Sequence, residues 1–286
     1  MTSAPLSAEA LEFALAVAME AAKKAAHLID QCIEQRADQP LEIEEKSSSA
    51  DLVTQYDTMC EEVVLAMLQE KTPTYEIISE ETRNDIPMTD GPTWVVDPVD
   101  GTTGFVHGSF DCGVSIGLCL NKQPILGVVI LPRLGETFHA VVGQGAFRNG
   151  KRIHASGCTE LTKSIVCTHT AYNRSEASVN SIMDINRELA LMRVHAIRSY
   201  GSAAMDMCSV ACGRLDMYFE VGIQAWDMAA GAIIIREAGG FVHSLDRNDA
   251  FDIEAKSMIC GSSLALTKVA IELSAKYNYR AAVLES

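Results

Sequence analysis

The segment Trp94-Val95-Val96-Asp97-Pro98-Val99-Asp100-Gly101-Thr102-Thr103-Gly104 constrains this chain more than any other. An apolar strand runs into Asp97. Pro98 then removes a ladder donor and forbids the strand's continuation, and Asp100 follows at once after Val99. Both carboxylates therefore leave a single turn. Gly101 allows close approach of a ligand to the backbone, Thr102 and Thr103 supply hydroxyls, and the amides beyond can cradle a phosphate. Hard cations such as Mg²⁺ take oxygen ligands from a few carboxylates plus substrate phosphate. On this segment alone two readings stand side by side: a metal-binding turn, and a strand-to-turn bend whose aspartates act as caps.

Other acidic groups sit at comparable places. Glu80-Glu81 follows the apolar run Glu76-Ile77-Ile78, and Asp227 opens the strongly apolar stretch 228–235. Alone, Asp227 reads as a partner of a helix dipole and Asp57 as a plain helix N-cap. The formal net charge of -15 repels polyanions, and no basic patch offsets it, so nucleic acid is excluded as a partner. An anionic substrate can still bind where metal cations invert the local field. No run of about eighteen uncharged residues exists, so no membrane span is expected, and Glu9 and Glu12 interrupt the first apolar stretch, which argues against a signal peptide. The nine cysteines form no C-x-x-C pair and most lie in apolar runs, as reduced thiols in a cytoplasmic protein would.

Periodicity organises the rest. Ser7 caps a helix carrying Leu11, Leu15, Ala18, Ala22, Ala25, Leu28 and Cys32, which the Gln39-Pro40 step ends. Lys46-Ser47-Ser48-Ser49 reads as a mobile loop. A second helix starts at Asp57 with Val63, Val64, Met67 and Leu68, and strands follow at 75–79 and 93–96. From 111 to 154 the pattern predicts an antiparallel meander, with strands at 112–120, 125–131 and 137–142 and turns at 121–124 and Asn149-Gly150. Helices are expected at 176–192, 202–212, 226–237 and 265–276, and strands at 195–198, 215–220, 241–245 and 258–261. Gly239-Gly240 caps the helix 226–237, whose apolar residues cover more than one face and place it in a core. The expectation is one unit over 1–286 of the α/β (α+β) class. An antiparallel half (about 40–155) and a mixed half (about 156–280) would share a continuous core.

Asp97-Pro98-Val99-Asp100-Gly101-Thr102-Thr103 and Trp226-Asp227-Met228-Ala229-Ala230-Gly231, the latter with Glu237-Ala238-Gly239-Gly240, resemble the two signatures of the inositol monophosphatase family. Asp51-Leu52-Val53-Thr54 through Asp57, and Ile78-Ser79-Glu80-Glu81-Thr82, fit in the right order, and the likeness runs from about residue 10 to about 275. The resemblance implies a layered αβαβα sandwich, a homodimer, two or three Mg²⁺ ions per site and inhibition by lithium. It also implies roles: Glu80, Asp97 and the Val99 carbonyl on a first metal; Asp97, Asp100 and Asp227 on a second; Glu80 helping with a weaker third. Thr102 and Asp57 would orient and deprotonate the attacking water, and a water oriented by Asp227 would protonate the leaving group. The Gly101 and Thr102 amides would bind phosphate, Asp100, Ala203 and Glu220 would face the substrate's hydroxyls, and Lys46 would close over the site.

Ser79 stands where the family commonly has Gly, Gly104 where Asn is common, and Gln224 where some relatives have His; no proposed ligand is lost. His107 lies past the ligand turn and reads as structural. The implied activity is Mg²⁺-dependent hydrolysis of a small polyol monophosphate, first of all inositol monophosphate. A relative acting on a sugar bisphosphate, 3′-phosphoadenosine phosphate or histidinol phosphate is the alternative within enzymes. A regulatory binding protein on a phosphatase scaffold is the alternative outside them.

Overall fold

The computed structural model describes residues 3–35, 43–46, 52–245 and 251–285. The Gln39-Pro40 step, Ser47–Ser49 of the expected loop, and Asp51 lie outside them. Helix α1 (Ala8–Gln35) and strands β1 (Ile43–Glu45) and β2 (Leu52–Thr54) precede α2 (Gln55–Lys71), β3 (Glu76–Ser79), β4 (Thr93–Asp100) and α3 (Thr102–His107). The meander comprises β5 (Gly113–Leu120), β6 (Gln123–Leu131), β7 (Glu136–Val141), β8 (Gly145–Arg148) and β9 (Lys151–Ile153). Then come β10 (Ile165–Thr168), α4 (Glu176–Leu191), β11 (Ala196–Arg198), α5 (Ala203–Ala211) and β12 (Met217–Val221). Helix α6 (Ala225–Glu237), β13 (Phe241–His243), β14 (Ser257–Gly261), α7 (Leu264–Lys276) and α8 (Tyr279–Leu284) complete the order.

Strands β3 to β9 form one sheet in sequence order, antiparallel except for the β3–β4 pair. The second sheet has the order β11-β10-β12-β14-β13 and is mixed. Alternation along the strands sends side chains to opposite faces. Trp94 and Val96 of β4, with Ile116 and Val128, pack against α1 and α2. Val95 and Val129 face the other way, onto α5 and α6, which also meet the second sheet through Tyr218 and Cys260. That sheet's outer face carries Phe219 and Ile259 into a third cluster with Ile182 of α4, Leu266 of α7 and Tyr279 of α8. The layers are thus helix, sheet, helix, sheet, helix, the αβαβα arrangement expected.

Several boundaries differ from the sequence reading. Strand β4 does not stop at Pro98 but continues to Asp100. Its register with β5 shifts between Asp97 and Asp100, so the proline sits in a bulge where no ladder donor is required. Pro124 is accommodated in the same way beside the shift after Leu118. The first hairpin turn shrinks to Asn121-Lys122, both left-handed at φ 52° and 58°, the two-residue form whose twist matches the strands. Asp57 is not the N-cap of α2. Thr54 is, and Asp57 closes a capping box by accepting from the Thr54 amide at 2.8 Å.

Helix α6 is buried from Met228 to Ile235, as its all-round apolar sequence requires. Its close seating depends on Gly127 of β6, where an added Cβ would stand 2.5 Å from the Ala230 carbonyl oxygen. Gly127→Ala is therefore expected to cost about 1–3 kcal/mol in urea unfolding, through overpacking that rigid backbone cannot relieve. An unchanged midpoint would mean that α6 is not held against the sheet here.

Candidate functional site

Four segments converge above the end of β4: the bulge itself, the start of α3, the turn after β3, and the first turn of α6. Gly101 makes the first junction. It is left-handed at φ 84°, and a Cβ there would lie 2.4 Å from the Asp111 carbonyl, so both conformation and space demand glycine. The Ser115 hydroxyl of β5 donates to the Trp226 carbonyl at 3.3 Å, tying the start of α6 to the ladder partner of Asp97. Asp97, Asp100 and Asp227 thereby come together, each offering one oxygen within 4.8 Å of the others. They line a cavity of about 360 Å³ together with Lys46, Glu80, Val99, Gly101 and Thr102.

Each carboxylate has a defined support. The Val99 amide donates to Asp97 at 3.0 Å, and the Gln224 amide to Asp227 at 2.6 Å. Asp100 accepts from the Ala204 amide at 2.8 Å, the Ala203 amide at 3.2 Å and the Ser202 hydroxyl, all at the start of α5. The Thr102 hydroxyl lies 3.2 Å from Asp57 Oδ1 and 3.2 Å from the Val99 carbonyl. Glu61, which the sequence reading missed, is buried and accepts from the amides of Glu81 and Thr82 at 2.9 Å each. It fixes the turn that carries Glu80. Its signal was present: Glu61 falls on the apolar stripe of α2 with Cys60, Val64 and Leu68.

The electrostatics follow from this crowding. Burial, then the charges of Glu80, Asp100 and Asp227, push the Asp97 carboxyl well above the usual range. Burial followed by Asp100 and Glu80 does the same to Asp227. Asp100 is pushed up to about 7, burial outweighing its hydrogen bonds. Glu81 is pushed up to about 7 by burial and by Glu80. Lys46 answers part of this charge: its ammonium lies 2.8 Å from Glu80 and 2.7 Å from Glu81. Burial by itself would lower the Lys46 pKa, but Glu80 and Glu81 more than reverse it.

Two expected substrate contacts are placed differently. Ala203 is buried and gives its amide to Asp100, so it does not line the cavity. Glu220 lines a neighbouring cavity of about 290 Å³, with His107, Arg174 and His169, which meets the first at Tyr172. His107, read from the sequence as structural, is exposed on the wall of that cavity. Glu220 is not a bare strand-end carboxylate, because Tyr218 donates to it and His169 Nδ1 stands 2.9 Å away. Of the positions that depart from the family pattern, Ser79 is buried, Gly104 lies within α3, and Gln224 holds Asp227 by its amide. No disulfide joins any of the nine cysteines, and burial pushes the Cys60, Cys112 and Cys119 thiols up to about 12, which leaves those thiols inert.

The donor set suits a hard cation. It is all oxygen, it is mostly buried, and its mutual repulsion is relieved by positive charge. Residues 10–279 match the sequence profile described as the inositol monophosphatase family. Inositol monophosphatase 2 of Solanum lycopersicum is 44% identical over 248 residues, covering 84% of this chain and 90% of that protein. Human inositol monophosphatase 1 is 38% identical over 227 residues, covering 78% of this chain and 81% of its own length. The solved structure of an inositol monophosphatase from Anabaena superposes with a TM-score of 0.79 at 31% identity, over 93% of this chain and 96% of that one.

Proposed function

Because the chain belongs to the inositol monophosphatase family, and is by that a phosphoric monoester hydrolase, we propose that it hydrolyses the monophosphate of a small polyol, inositol 1-phosphate foremost, with Mg²⁺ as cofactor. The observation that carries this is the convergence of Asp97, Asp100 and Asp227 from separate segments onto one cavity that also holds Thr102. Glu80, Asp97, Asp100, Asp227 and the Val99 carbonyl are the residues that would hold two or three ions. When bound, Mg²⁺ supplies a Lewis acid that neutralises phosphoryl oxygens and lowers the pKa of water.

This chain's own groups do the remaining work. A Thr102 hydroxyl that donates to Asp57 keeps its lone pairs free to accept from the attacking water, and Asp57 is held rigid by Thr54. Gly101 and Thr102 line the cavity at the start of α3, and their amides are the groups that bind phosphate in this reading. Asp227, at the first turn of α6, orients the water that protonates the leaving alcohol. Glu220 accepts hydrogen bonds from that alcohol's hydroxyls through the adjoining cavity. Lys46 covers the site and moves aside from Glu80 when cations enter. The same reading extends to lithium inhibition, a homodimer and a cytoplasmic setting. The last agrees with nine cysteines that form no disulfide and with the absence, among the described residues, of any helix long and apolar enough to cross a membrane.

The test is phosphate release from a substrate panel with and without Mg²⁺. Inositol 1-phosphate should be turned over at least about tenfold more efficiently than fructose 1,6-bisphosphate or 3′-phosphoadenosine phosphate, and chelation should stop the reaction. Preference for either of the latter two would overturn the substrate, and full activity in chelator would overturn the metal. Metal binding with no turnover of any substrate would favour the regulatory reading.

A further inference from the structure

In the wall of the adjoining cavity, beside Glu220, lies a group that the proposed chemistry does not use. His169 follows the end of β10, buried between two elements. Its Nδ1 stands 2.9 Å from Glu220 Oε2 on β12, and its Nε2 stands 2.8 Å from Asp206 Oδ2 on α5. Asp206 is fully buried, and among the described residues neither of its oxygens takes a hydrogen bond in good geometry. A carboxylate in that position needs a positive neighbour. Burial pushes the Asp206 carboxyl above its usual range, with His169 opposing that shift; where both carboxylates are ionised they only accept, so a ring facing one at each nitrogen carries both protons. The Gly201 amide also approaches Nε2, at 3.2 Å, a contact that requires a bare nitrogen. The shorter contact outweighs it, because leaving a buried carboxylate unpaired costs more than losing one neutral amide bond. Burial alone would lower the His169 pKa, but Glu220 and Asp206 raise it well above its ordinary value.

Cys167 stands beside them, with Sγ 3.7 Å from Nε2, which raises the question of a metal. The spacing argues for a proton instead. Zinc bound to both groups at about 2.0–2.1 Å would hold nitrogen and oxygen near tetrahedral separation, roughly 3.3 Å, wider than the observed contact.

We propose that His169 is a positioning residue for substrate choice: as an imidazolium pinned between Asp206 and Glu220, it fixes Glu220 so that one carboxylate oxygen faces the leaving alcohol. The proposal rests on the reading that Glu220 meets the substrate's hydroxyls. His169 and the Tyr218 hydroxyl both engage Oε2, and nothing among the described residues donates to Oε1. Of the two charges that Asp206 and Glu220 bring, the clamp cancels one. Glu220 is then an oriented acceptor rather than a loose repulsive charge.

The experiment is steady-state kinetics with inositol 1-phosphate, and competitive inhibition by inorganic phosphate, on the full chain with Mg²⁺. His169→Ala should raise KM for inositol 1-phosphate about tenfold, with kcat within about threefold and phosphate inhibition within about twofold. The pair His169→Asn/Asp206→Asn restores an N–H toward Glu220 and removes the stranded charge, so it should recover most of the lost KM and guards against simple misfolding. Equal losses toward inositol 1-phosphate and inorganic phosphate, or no change in KM, would overturn the proposal. So would zinc that co-purifies with the protein and is absent from His169→Ala. Glu220→Gln, run in parallel, separates the two ideas. If it leaves KM unchanged, the reading of Glu220 fails and takes this one with it. If it raises KM while His169→Ala does not, the clamp alone is wrong.

Discussion

Asparagine at position 97 is expected to lower turnover by at least about 10³ while making the metal-free protein more stable. Two effects of the same crowding oppose each other. Asp97 is 1% exposed and faces Glu80, Asp100 and Asp227, so its carboxyl titrates well above the unfolded value. A carboxyl with a raised folded-state pKa contributes stability below its unfolded pKa and loses it as pH rises toward the folded value, because folding must then take up a proton. At neutral pH the metal-free protein carries that cost, and the isosteric amide removes it, for a gain of about 1–3 kcal/mol. With Mg²⁺ the balance reverses, since an amide is a weaker ligand than a carboxylate. Millimolar Mg²⁺ should raise the Tm of the parent protein by mass action, and this rise should shrink or vanish in Asp97→Asn. Thermal unfolding with and without Mg²⁺, together with phosphate release, measures both effects. Full activity in the variant, or a parent Tm indifferent to Mg²⁺, would remove Asp97 from the metal site.

Thr102→Ala and Asp57→Asn should each lower kcat by about 10²–10³ with little change in KM, and the double variant should be hardly worse than either. A threonine hydroxyl is too weak an acid to activate water without a polarising partner. The 3.2 Å contact to a buried Asp57 supplies one. Thr54 is the control, because it orients Asp57 through the capping box and also starts α2. If the losses came from fraying of α2, Thr54→Ala would reproduce them at a stability cost of about 1 kcal/mol. Multiplicative losses in the double variant would show that Thr102 and Asp57 act separately.

The sequence by itself determined the elements whose signal is periodic and the acids that punctuate them. Helix α1, the meander strands β5 to β7 and the all-apolar α6 were legible because burial repeats along them at fixed spacing. Asp97, Asp100 and Asp227 were legible as acids at strand ends and helix starts, and their joint meaning came from resemblance to a family. Short elements were not legible. Helix α3 is six residues long and β10 is four, too short to display a period, and the bulge at Pro98 depends on the strand beside it. Tertiary structure alone decided what meets what. Glu61 reaches across twenty residues to hold the Glu80 turn, and His169 reaches across fifty-one to Glu220. It also withdrew Ala203 from the cavity and gave Glu220 a histidine partner. The physical reason is range: local pattern reports which face of an element is buried, whereas pairing of buried polar groups is settled only when distant segments pack and each stranded charge must find its partner.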